Sequence, residues 1–80
     1  MSKLIAKVKE SYQVIDSSVY GTGENLILQV ANKNFAVCVD ADSVTVYGCY
    51  QESSKDWKFL PTSKTGKTFA TVANFIKSRV

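Results

Sequence analysis

Eighty residues, 45% apolar, 11% aromatic and 21% charged, describe one ordinary globular domain with room for a single hydrophobic core. No run approaches the roughly 18 consecutive apolar residues of a membrane span, and Met1 to Lys9 alternates lysine with aliphatics, unlike a secretory leader. A small secreted domain would carry several disulfides, so two cysteines in apolar runs read as free thiols of a cytoplasmic protein.

The charge is unevenly placed. The net charge is +3, but residues 57–80 hold Lys58, Lys64, Lys67, Lys77 and Arg79 with no acid, while all seven acids precede them. A basic end of this kind points to an anionic partner through encounter and solubility, and says nothing of fold.

In chain order, Leu4, Ile5, Val8, Tyr12 and Ile15 fall on one stripe at about 100° per residue, with Ser2 as a cap, which predicts a helix over about 3–11. The β-branched and aromatic stretch Tyr12 to Tyr20 then reads as extended chain that can begin a first strand. Gly21-Thr22-Gly23-Glu24 is a turn by composition.

Three antiparallel strands follow as a meander: Asn25 to Ala31, Phe35 to Asp40 and Ser43 to Tyr50, turning at Asn32-Lys33-Asn34 and at Ala41-Asp42. The period of two assigns Leu26, Leu28, Val30, Phe35, Val37, Val39, Val44, Val46 and Tyr50 to the core. The opposite face shows Gln29, Ala36, Cys38, Thr45, Tyr47 and Cys49, semi-polar and either open or partly covered by a helix. Cys38 would face Thr45, leaving Cys49 about 13 Å along its strand and out of disulfide reach. Gly48, inside a strand, marks a bulge.

Gln51 to Asp56 is a polar loop, and Trp57 to Leu60 a short fourth strand ended by Pro61. After a loop over Thr62 to Lys67, the stripe Phe69, Val72, Ala73, Ile76 and Val80 predicts a C-terminal helix, capped by Thr65 or Thr68, with Lys77 and Arg79 at its negative end. The fold class is therefore α+β: an N-terminal helix, an antiparallel meander of three to four strands, and a C-terminal helix packed on the sheet.

Chemistry is sparsely represented. With no histidine the usual general base near neutral pH is missing, and two separated cysteines make no zinc site, so no metal, cofactor or enzyme activity is expected. Asp40 and Asp42 read as turn formers rather than calcium ligands. Gly66-Lys67-Thr68 ends like a phosphate-binding loop, but Pro61 stands where its first glycine belongs, leaving at most an anion site at a helix N-terminus. The thiols have only aliphatic, aromatic or anionic neighbours in sequence, which leaves them unactivated.

The cluster Trp57, Lys58, Phe59, Lys64 and Lys67 combines rings that stack on bases with cations that meet phosphates; both rings serve equally well as core. In outline, a meander followed by a helix with a basic end is similar to single-strand-binding domains of the transcriptional coactivator type, without shared motif residues. The expectation favoured slightly is a non-enzymatic nucleic-acid-binding or regulatory domain: Lys58, Lys64 and Lys67 on phosphates, Trp57 with Tyr47 or Tyr50 for stacking. The alternative is a protein-interaction module, an inhibitor or adaptor of the size phages and mobile elements encode, docking through a strand edge or the Cys38, Thr45, Tyr47 face. Edges near Asn25 and at Pro61 also leave room for sheet extension into a homodimer.

Overall fold

The computed structural model describes residues 2–21, 23–54 and 56–80. In chain order they form α1 (Ser2–Ser11), β1 (Gln13–Tyr20), β2 (Gly23–Val30), β3 (Lys33–Val39), β4 (Val44–Ser53), β5 (Asp56–Gly66) and α2 (Phe69–Lys77). The strands make one antiparallel sheet in the order β1-β2-β3-β4-β5. The architecture is α+β as expected, with five strands rather than three to four.

Core formation follows the period of two. Leu26, Leu28, Phe35, Val37, Val39, Val44 and Val46 point to one face, where Leu4 and Val8 of α1 and Val72, Phe75 and Ile76 of α2 seal them from water. Both helices lie on this face. Phe75 meets Phe35 edge-on at 6.1 Å, and Tyr12 stacks on Phe69 at 6.0 Å, joining the two helical ends of the chain. Phe75 falls outside the expected stripe, and Tyr50, assigned to the core from its alternation, is instead 50% exposed and outside the cluster that the helices cover.

Several boundaries differ from expectation, each for a physical reason. The residues after Tyr12 form β1, so Ile15 leaves the helical stripe and is 41% exposed beside a register shift between Val14 and Asp16. The side chain of Ser2, the expected cap, lies outside the described residues, as do Thr22 and Lys55. The β2–β3 turn is Ala31-Asn32, not Asn32-Lys33-Asn34: both residues have positive φ, 51° and 66°, the conformation a two-residue hairpin of this twist demands. Cys38 does face Thr45, and Gly48 does sit at a bulge between Tyr47 and Cys49.

The largest departure is β5. It does not stop at Pro61, and Thr62 to Gly66 is strand rather than loop. A proline without an N–H is tolerated on an edge strand within an irregular stretch, and β5 is both an edge and bulged there. The other edge is β1, so Asn25 of β2 lies inside the sheet and offers no free edge.

Candidate functional site

The helix-free face of the sheet is curled. β1 and β5 are the outer strands, and four strand spacings would separate them by roughly 19 Å if the sheet were flat. Yet the Trp57 indole Nε1 of β5 donates to Asp16 Oδ2 of β1 at 3.1 Å. Twist and the bulges in both edge pairings bend the sheet inward on this side. Beneath the indole lies a small apolar cluster of Ile27, Ala36 and Cys49, flanked by Tyr47. Phe59 rests on Tyr47 with ring centroids 5.1 Å apart and stays 43% exposed.

Trp57 is thus neither deep core nor a free platform: half-buried, it spans the concavity while Phe59 shows its ring to solvent. Its hydrogen-bond partner is a carboxylate whose second oxygen accepts the backbone N–H of Ser17 at 2.8 Å. Asp16, Ser18, Asn25, Asp56, Trp57 and Phe59 are among the walls of a cleft of about 360 Å³ on this face.

The lysines expected beside these rings lie elsewhere. On β5, alternation sends Trp57 and Phe59 to the curled face and Lys58 to the other, level with Tyr50. Lys58 Nζ is matched by Glu52 at 3.3 Å and Asp56 at 3.5 Å. Lys64 pairs in register with core residue Val46 on the helix-bearing face, and Lys67 lies exposed between β5 and α2. Of the six residues predicted to bind nucleic acid, Tyr47 and Trp57 share the curled face, whereas Tyr50, Lys58 and Lys64 share the other.

On that other face the chain builds two clefts with Arg79 as a common wall. One, about 490 Å³, lies between the β2–β3 turn and the Gly48 bulge and is lined by Lys33, Tyr50, Leu60, Thr62 and Arg79 among others. The second, about 400 Å³, runs between β5 and α2 and includes Lys64, Thr71, Asn74 and Ser78. Among the described residues lining either cleft there is no carboxylate. Arg79 is held in place: its guanidinium lies 3.9 Å over the Phe75 ring and its Nη1 donates to Ser78 Oγ at 2.8 Å. Lys33 Nζ donates to the Arg79 carbonyl, bringing a third cation to the same end of the molecule.

Lys33 is not among the residues expected to bind, and Arg79 enters the sequence reading only as part of the basic end; 46 residues apart, they carry no local signal that would pair them. The separation of Lys58 from Trp57 and Phe59 was legible, since neighbours on a strand face opposite sides.

Two weaker expectations are also placed. Gly66 ends a strand instead of lying in a loop, and Thr71 Oγ1 fills the space beside its Cα where a phosphate-loop glycine would admit an anion. Asp40 and Asp42 lie in a hairpin turn closed by the Asp40 N–H donating to the Ser43 carbonyl at 2.8 Å.

The thiols sit on the curled face and are free. Burial, and secondarily the nearby Cys38, pushes the Cys49 thiol up to about 11; burial and then Asp40 raise Cys38 as well. Both therefore stay protonated and weakly nucleophilic near neutral pH. No protein-family model matches the chain, and no curated protein or solved structure matches it either.

Proposed function

We propose that the chain is a non-enzymatic binding domain that holds single-stranded nucleic acid along the paired clefts beside α2. One observation carries this reading: Lys33, Lys64 and Arg79 converge on clefts whose described walls hold no acid, next to a Tyr50 ring that is half exposed. Cations neutralise phosphates and release their counterions, while an exposed ring stacks on any base, so a strand can be held without sequence readout. Lys58 and Lys67 contribute less, the first because two carboxylates already match it, the second because it lies toward the opposite end of α2.

The reading is tested with a fluorescent oligothymidylate. Three phosphate contacts on a single strand give an affinity that falls with a log–log salt slope of about −2. The triple variant K33Q/K64Q/R79Q is expected to abolish that slope, and Y50A to weaken binding by about 1–3 kcal/mol. Binding that ignores salt, or survives the triple variant unchanged, defeats the proposal.

A second reading is favoured by the curled face, where exposed aromatic surface is flanked by carboxylates instead of lysines. An anionic strand would be repelled there, so that face suits a protein partner, in keeping with an adaptor or inhibitor.

A further inference from the structure

The cleft on the curled face offers acceptors and π surface together. Its walls include the carboxylates of Asp16 and Asp56 and the rings of Trp57 and Phe59, and no lysine or arginine is among the described residues lining it. Asp16 is aimed by its contacts: Oδ2 takes the Trp57 indole N–H and Oδ1 the Ser17 N–H. Each carboxylate oxygen has capacity for a further donor. Asp56, exposed, shares Lys58 with Glu52 and keeps only part of that cation's attraction. Asn25, another lining residue, buries its Oδ1 with no hydrogen-bond partner among the described residues, an acceptor left unmatched.

A guest complementary to this lining is cationic, flat and rich in donors. A guanidinium meets all three demands: it stacks on an aromatic face, donates in a planar fork to a carboxylate, and sheds water more readily than an ammonium. We propose that the curled face docks a basic segment of a partner protein, with an arginine side chain entering the cleft that Asp16 and Trp57 line and donating to the Asp16 lone pairs that the indole leaves open. The inference rests on the second reading above, that this face meets a protein, and adds the chemistry of the partner. The molecule then presents opposite preferences on its two sides, anions beside α2 and cations on the curled face.

Trp57 is the sole tryptophan of the chain, so its indole N–H resonance reports on the cleft alone. The probes are three blocked, glycine-spaced peptides carrying two arginines, two lysines or two glutamates. The arginine peptide is expected to shift the indole resonance saturably, binding several-fold tighter than the lysine peptide, with no effect from the glutamate peptide. D16N keeps an acceptor for the indole yet removes the charge, and should weaken the arginine peptide about tenfold, the loss of roughly one charge-assisted hydrogen bond. K64Q, on the other face, should leave it unchanged.

Equal shifts from all three peptides, or a D16N variant that binds as well as the parent, would overturn the cation-selective cleft while leaving the face as a docking surface. If no peptide moves the Trp57 or Tyr47 resonances, the docking surface itself is lost, and the cleft with it. Indole shifts that track protein concentration without any peptide would assign the face to a second copy and likewise overturn the proposal.

Discussion

A thiol packed on a sheet face is a small test of how far burial governs chemistry in this molecule. With Cys49 pushed up to about 11, the folded protein holds its thiol proton more tightly than the unfolded chain, whose thiols ionise near pH 8.5. The unfolded state therefore binds fewer protons in alkali, and stability falls as pH rises. The window runs from about pH 8.5 to about 11, and below it the contribution is fully present. Denaturant midpoints measured across that range should drop for the parent, and the drop should shrink in C49A relative to that variant's own value at pH 8. An equal decline in both would show that other groups govern the alkaline limb. Ala31 makes a second residue-scale point, since φ of 51° is costly for any side chain with a Cβ. A31G is expected to raise stability by about 1 kcal/mol in equilibrium unfolding, and a loss would mean that the turn is not strained.

At the scale of elements, the two helices and the middle strands were legible because their apolar residues follow clean periods of 3.6 and 2. β5 was not, because proline and a run of serine, threonine and lysine carry the composition of a loop, and only its position at the sheet edge lets Pro61 stay within a strand. That same composition protects the edge: Pro61, the bulge and the lysines leave it poorly suited to pairing with a further strand. The end of β5 is fixed by contact with α2. A Cβ placed on Gly66 would lie 2.0 Å from Thr71 Oγ1 and 3.0 Å from its Cβ, so one of the two must move. G66A should destabilise the fold by about 1–3 kcal/mol, the usual cost of overpacking, and G66A/T71A should recover most of it. Failure of that rescue would locate the damage in the backbone and not in the strand–helix contact.

For the molecule as a whole, the sequence revealed that one sheet face is apolar and the other mixed, but not that the sheet curls far enough for side chains of its outer strands to meet. Curling depends on bulges and on the meeting of Asp16 with Trp57, 41 residues apart, which no local pattern encodes. The charge map depends on it as well. Aromatics and lysines that are neighbours in the chain are divided between two surfaces, and each surface acquires different residues from distant parts of the chain: Asp16 for one, Lys33 and Arg79 for the other. Half of the predicted nucleic-acid site, Tyr50, Lys58 and Lys64, thus lies together on the helix-bearing face, while Tyr47 and Trp57 join the acidic side.

Division of the two surfaces by charge is most directly tested by mapping backbone and indole resonance shifts of the full chain as an oligothymidylate is added at low salt. The account predicts that shifts concentrate at Lys33, Tyr50, Leu60, Lys64 and Arg79 and leave the Trp57 indole in place. A titration that instead moves Trp57, Phe59 and Tyr47 while sparing Lys33 and Arg79 would contradict it.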